Sequence, residues 1–221
     1  MIPVGALEQH GPHLPLGANT VVAERVARAV SQRLGILRAP VFSYGVTTGG
    51  DPRPGVAGLG RKTLHRAVND LLARWEDQGI EEFIIVTAHR YEPHLEALLM
   101  ALSSESITTV YDLYQIDVLD LLDGDPETEH AGEFETSLLL HLTPERVRPT
   151  LVEDRPVTRE ALRRYIRGRM PTPPRHGTGV MGSPSLASAE KGEVLFRRLT
   201  DALALALAPA ADVPPGTDTA S

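Results

Sequence analysis

Residues 82–87, EFIIVT, decide the fold. Phe83, Ile84, Ile85, Val86 and Thr87 are aromatic or β-branched, with no charge among them, which suits a central strand of a parallel sheet buried on both faces. Working outward, short apolar runs alternate with amphipathic stretches, the pattern of strands joined by crossover helices. Upstream, Leu64, Val68, Leu71, Leu72 and Trp75 form one helical stripe, preceded by a Gly/Pro-rich loop from Tyr44 to Gly60 and an expected strand at Ile36–Phe42. Before these, a helix is expected over Thr20–Leu34, with Val22, Val26, Ala29 and Val30 as its stripe, and a first strand at Ile2–Val4.

Downstream the pattern predicts a helix near Pro93–Ser103, a strand at Ile107–Tyr111 and a short helix near Gln115–Leu122. The run GEFETSLLLHL, residues 132–142, predicts a helix packed inward through Leu138, Leu139 and Leu142. A strand near Arg148–Val152, a helix near Thr158–Gly168, a Pro/Gly-rich loop to Pro184 and a last helix near Ala187–Leu207 complete the reading. No internal repeat is visible. The fold class is α/β: a layered domain, residues 1–208, with a mainly parallel central sheet flanked by helices, followed by a disordered tail over residues 209–221. Ligands of such domains bind at the carboxyl ends of the strands, so the loops after Val4, Thr87 and Tyr111 share one neighbourhood.

A chain of 221 residues, 42% hydrophobic and 23% charged, supports one substantial core. Its net charge is −7 and no cluster of Lys or Arg concentrates positive field, so neither nucleic acid nor an anionic membrane is an expected partner. Without cysteine, any metal must sit among His, Asp, Glu and Asn donors. The opening MIPVGALEQHG is not a basic start followed by a long apolar run, and no later stretch approaches a membrane span, so the cytoplasm is the expected compartment. No phosphate-binding loop, dinucleotide fingerprint or serine-nucleophile motif appears.

Three stretches could carry chemistry. In PVGALEQHGPHLPLGANT, residues 3–20, Glu8 and His10 are two apart, so an extended chain sends both side chains to one face, where one metal ion or two adjacent ones could be reached. The alternative is an ordinary polar loop. Asn19 directly precedes an apolar helical stripe and reads first as a helix N-cap; as a ligand it offers one neutral oxygen. In TAHRYEPH, residues 87–94, His89 falls at the carboxyl edge of the central strand, with Glu92 a further ligand candidate, Tyr91 a substrate contact and His94 on the surface of the next helix. In ETEHAGEFETS, residues 127–137, Gly132 marks a helix start that leaves His130 on the preceding loop. Glu133 there has the simple reading of a first-turn carboxylate favoured by the helix dipole, whereas Glu135 enters an apolar helix and calls for a cation.

Together these stretches, and the late segment GVMGSPSLASAEKGEVL at residues 179–195, resemble the creatininase family of amidohydrolases over about Ile2–Leu207. The resemblance implies an α/β sandwich, a homo-oligomer (a hexamer), and a divalent-metal site that activates water against a small cyclic amide, formamide or peptide bond. Zinc is the first expectation, with manganese or iron as alternatives. By motif position Glu8, His10, His89 and Glu135 match metal ligands, Glu129 and His130 match a proton-transfer pair, and either Tyr91 or Glu92 occupies the position of a further ligand. Asn19 stands where the family has a metal-bridging Asp, so one or two ions per chain remain open. TAHRYE replaces a glycine-rich run, and Gly49 and Gly50 replace a Glu-His pair, which argues against creatinine as the substrate. Substrate choice is expected in the loops Tyr44–Gly60 and Pro171–Pro184.

The leading reading is a metal-dependent hydrolase of a carbon–nitrogen bond in a small amide-type substrate, with His130, assisted by Glu129, passing a proton to the leaving nitrogen. The alternatives are a catalytically silent relative acting as an assembly or regulatory subunit, and a metal-free small-molecule binder.

Overall fold

The computed structural model describes residues 1–48, 53–100, 106–125, 129–148, 154–155, 157–169 and 178–208. Strand β2 (Glu82–Thr87) is central, with β1 (Ile2–Val4) parallel on one side and β3 (Ile107–Asp112) parallel on the other. The register pairs Val4 with Thr87 and Thr87 with Asp112, which brings the three carboxyl ends level.

Period-two alternation in β2 feeds both faces. Ile84 and Val86 pack with α1 (Ala18–Leu34), α4 (Glu133–Leu142) and α6 (Ala189–Leu207) through Val22, Val26, Val30, Leu138, Leu139, Leu195, Leu199 and Leu203. Phe83 and Ile85 pack with Ile2, Val4 and the helices α2 (Arg61–Glu76) and α3 (Glu92–Leu99) through Leu64, Val68, Leu72, Ala97 and Leu98. The short α5 (Arg159–Ile166) forms a separate small core with Leu162, Tyr165 and Met181. Helices thus cover both sides of a parallel sheet, the α/β layering the sequence implies. Among the described residues no helix is long and apolar enough to cross a membrane.

Several expectations change. Residues 36–42 run beside β1, with Ala39 N–H donating to Met1 O and Phe42 N–H to Pro3 O, but only Phe42 forms a bridge. Pro40 has no N–H to give, which keeps this edge segment from becoming a regular strand. The helix expected at Gln115–Leu122 is two 3-10 turns, Leu113–Gln115 and Leu119–Leu121. Asp112 Oδ1 accepts from Tyr114 N–H and Asp117 Oδ1 from Leu119 N–H, local bonds that compete with an α-helix. In α2, Leu71 lies outside the buried stripe. The strand expected near Arg148–Val152, the Gly49–Gly50 pair, the end of the Pro93–Ser103 helix, most of the Pro171–Pro184 loop and the tail over 209–221 lie outside the described residues.

Candidate metal centre

The level strand ends collect most of the chemistry. From β1 the chain turns through Glu8, His10 and His13, held by Glu8 N–H to Leu16 O and by Gln9, which accepts from Gly11 N–H and donates to Gly179 O. After β2 comes His89, and after β3 Tyr114. The loop into α4 brings His130, and the first turn of α4 brings Glu135. Between His130 and that helix Ala131 sits at φ 57°, a left-handed conformation uncommon without glycine, where its N–H reaches Glu135 Oε2.

Glu8, His10, His89, Asn19, His130 and Glu135 are all buried. For neutral His10 and His89 the carbonyl beside one ring nitrogen fixes the tautomer, because a backbone carbonyl can only accept; His130 Nε2 lies beside both Gln9 O and, at 3.1 Å, the Gln9 amide nitrogen. His10 gives its Nδ1–H to Glu8 O (3.2 Å), His89 its Nε2–H to Val46 O (2.8 Å), and His130 its Nε2–H to Gln9 O (2.9 Å). The remaining nitrogen of each ring points inward and, when the ring is neutral, offers a lone pair there: His10 Nε2 lies 3.4 Å from Glu135 Oε1, His89 Nδ1 3.1 Å from Glu8 Oε2, and His130 Nδ1 3.8 Å from Glu135 Oε2. Histidines anchored by carbonyls behind and open in front are arranged as metal ligands usually are. Glu8, His10 and His130 offer ligand atoms within 4.8 Å of one another.

The electrostatics describe a cluster that requires positive charge. Burial would push the Glu8 carboxyl up, but His89, His130 and His10 around it hold it well below the usual carboxylate range. Glu135, also opposed by burial, is held down to about 2 by His10, His130 and the Tyr114 hydroxyl. Burial disfavours charge on His10, yet Glu135 and Glu8 raise it to about 9. Two buried carboxylates here keep their charge by holding a proton on a neighbouring ring, and a divalent cation fills the same need with nitrogen and oxygen donors of the right kind. The residues fit such an ion.

Other predicted residues fall elsewhere. Asn19 does not cap α1: Gly17 is the N-cap, with no side-chain capping bond, and Asn19, inside the first turn, turns into the cluster. Its Oδ1 meets His10 Nε2 at 3.1 Å, and its Nδ2 donates to Glu8 Oε2 at 3.1 Å. Glu92 is not brought to the cluster; its half-exposed carboxylate faces Arg167 at 3.4 Å, because it opens α3 on the outer side. Tyr91 is buried in the core beneath α2 and α3, its ring 5.6 Å from that of His89. His94, expected on a helix surface, is fully buried: its Nδ1 accepts from Val46 N–H at 3.2 Å and its Nε2 meets Thr87 Oγ1 at 3.0 Å. Val46 thereby meets both rings, His94 through its N–H and His89 through its C=O. Glu133 is buried as well, but it binds Lys191 and the N–H groups of Asp123 and Gly124, tying down the loop before α4.

Glu129 is a helix anchor, with Oε1 accepting from Glu133 N–H (2.9 Å) and Oε2 from Phe134 N–H (3.1 Å). Burial raises its carboxyl despite these bonds. Beside it opens a cavity of about 220 Å3 lined by Arg90, Leu113–Leu119, Phe134, Glu129 and Glu135. Among the described residues neither loop expected to choose the substrate contributes to that lining; residues 113–119 do so instead. Two residues the sequence did not single out complete the cluster: Tyr114 donates to Glu135, and Tyr165 of α5 donates to Glu8. Tyr114 lies in a loop already placed at the site, whereas Tyr165 reads as the apolar face of a helix and gives no local signal.

The family profile described as creatininase, creatinine amidohydrolase, matches residues 1–207. A creatinine amidohydrolase of Pseudomonas putida is 30% identical over 234 residues, covering 94% of this chain and 87% of that protein. A mycofactocin precursor peptide peptidase of Mycobacterium ulcerans (strain Agy99) is 30% identical over 222 residues, covering 91% of this chain and 81% of its own. Among solved structures, one described as manganese creatininase superposes with a TM-score of 0.76 at 26% identity, covering 93% of this chain and 88% of that one. A mutant creatininase of the Zn-Zn type gives 0.73 at 27%, with the same coverage. This chain belongs to the creatininase family.

Proposed function

We propose that the buried cluster binds a divalent cation and hydrolyses a carbon–nitrogen bond of a small amide or peptide admitted through the cavity beside Glu135. Family membership makes the chain a metal-dependent amidohydrolase; which metal and which substrate are the proposal's finer content. The observation that carries it is the set of three buried histidines, each spending its N–H on a backbone carbonyl and turning a lone pair toward two buried carboxylates. Zinc suits these donors, and manganese is the named ion of one similar structure.

When bound, the cation acidifies a water and polarises the scissile carbonyl. The chain's own residues do the rest. Tyr114 and Tyr165 hold the two carboxylates in place, while Leu162 and Tyr165 of α5 line a small recess over Glu8, Asn19, His130 and Glu135 and keep bulk water out. Arg90, Tyr114, Glu129 and Glu135 line both this recess and the larger cavity, so a substrate passing inward meets them first. His130, with its N–H held by Gln9 O, is placed as a ligand; Glu129, a raised carboxyl on the cavity wall, is better placed to pass a proton to the leaving nitrogen. Homo-oligomeric assembly belongs to the same proposal and is read by light scattering.

The test is hydrolysis of a panel of lactams, formamides and short peptides by protein loaded separately with zinc, manganese and iron. At least one class is expected to turn over and to stop with chelator; metal-loaded protein inert toward all of them sinks the reading. Glu129→Gln is expected to lower kcat by about 100-fold or more with metal content unchanged. A variant that keeps its rate removes Glu129 from proton transfer.

A further inference from the structure

Asn19 divides the cluster in two. On one side its Nδ2 donates to Glu8 Oε2 at 3.1 Å and lies 3.0 Å from His89 Nδ1. His89 has given its N–H to Val46 O, so Nδ1 is an acceptor; it also lies 3.1 Å from Glu8 Oε2, and the Asn19 NH2 group faces the two together. On the other side Oδ1 faces His10 Nε2 at 3.1 Å, with Glu135 Oε1 3.4 Å from that nitrogen and His130 Nδ1 3.8 Å from Glu135 Oε2. His10 has likewise given its N–H to Glu8 O, and His130 Nε2 lies 2.9 Å from Gln9 O and 3.1 Å from the Gln9 amide nitrogen. Glu135 receives hydrogen bonds from Tyr114 and Ala131 N–H, whereas Asn19 Oδ1 faces His10 Nε2, which is an acceptor like itself whenever that ring is neutral, the form an ion requires. Asn19 thus turns its hydrogens toward Glu8 and His89 and its oxygen toward His10.

We propose that this chain holds a single divalent ion, on the side of His10, His130 and Glu135 with Glu8 in reach of the two histidines, and that the Asn19 amide hydrogens occupy the place of a second ion beside His89. The inference rests on the metal-dependent reading above and fixes its stoichiometry. An amide has one oxygen and one NH2 group, so it can be a ligand toward only one side; turned over, it would present oxygen to Glu8 and His89 and hydrogens to His10, exchanging the halves without changing the count. A carboxylate at residue 19 would offer an oxygen to each side and no hydrogen to either. His89 is then a hydrogen-bond partner that positions Asn19, outside the ligand set.

The deciding measurement is metal per chain by elemental mass spectrometry, on the full chain reconstituted separately with zinc and with manganese and then desalted. Wild type is expected to carry about one ion, and Asn19→Asp about two. His89→Gln should keep the ion with affinity changed less than about tenfold, whereas His10→Gln should lose it. Two ions in wild type, or a loss in His89→Gln equal to that in His10→Gln, overturns the single-ion inference and leaves a metal hydrolase standing. No ion in reconstituted wild type removes both. Should Asn19→Asp fail to fold, the wild-type count and the His89 and His10 pair decide alone.

Discussion

Of the buried histidines outside the proposed ligand set, His13 offers the clearest test of what burial costs an ionisable group. Its Nε2 meets Thr136 Oγ1 at 3.0 Å, its Nδ1 has no hydrogen-bond partner among the described residues, and burial together with the facing His10 pushes it down to about 4, against a smaller opposing pull from Glu135 and the Ala131 backbone. Burial likewise holds His94 well below its ordinary range. A histidine lowered on folding favours the neutral form in the native state. Its contribution is complete above the unfolded value near 6.5 and declines as pH falls from there toward the folded value. For His13 the full effect is about 3 kcal/mol at most. Urea titrations of metal-free protein should therefore show stability falling between pH 7 and 5, with a shallower fall in His13→Gln; parallel slopes would show that His13 titrates normally. Glu8, His10 and Glu135 were legible in the sequence because a carboxylate or imidazole beside a strand end or in an apolar helix has few other uses. The inward turn of Asn19 was legible only through the family resemblance, since by residue type a cap and a ligand demand the same residue at almost the same place.

Among the elements, α4 is positioned by what lies behind it. Gly192 of α6 lets the two helices approach so closely that a methyl group there would collide with the Ser137 carbonyl. At an ordinary helix-interior position, alanine would gain roughly 1 kcal/mol over glycine. Here the sign reverses: Gly192→Ala should destabilise by about 2 kcal/mol or more in chemical denaturation, because the backbone of α4 has to move. A stabilised variant would show that the helices are free to separate. The same displacement carries Glu135 with it, so metal affinity should fall in parallel. The helices were largely readable from their stripes, as α1 and α2 show. Failures came where side chains bond locally, as Asp112 and Asp117 do in the 3-10 turns, and where Pro40 interrupts an edge strand. Tyr165 was invisible for a different reason: its contact with Glu8 spans 157 positions in sequence, and only the folded chain brings them together.

For the molecule as a whole, the cluster joins parts of the chain that have no other common meeting point. Glu8 and His10 follow β1, Asn19 belongs to α1, His89 follows β2, His130 and Glu135 belong to the approach and first turn of α4, and Tyr165 reaches in from α5. Unfolding scatters these donors, so an ion bound to the native arrangement binds the unfolded chain far less well. Its binding energy then becomes folding stability, growing as RT ln(1 + [L]/Kd), or about 4 kcal/mol at a thousandfold excess over Kd. In metal-free protein a proton on His10, raised to about 9, serves part of the cation's purpose. The ion must displace that proton, so below about pH 9 apparent affinity should rise by up to tenfold per pH unit. Thermal unfolding should therefore show a Tm that climbs with added zinc or manganese, by more at pH 8 than at pH 7, and that returns to the metal-free value with chelator. A shift equal at both pH values would mean that His10 is neutral before the ion arrives. No shift at all would mean that these buried charges are balanced within the protein and that the cluster does not take up metal.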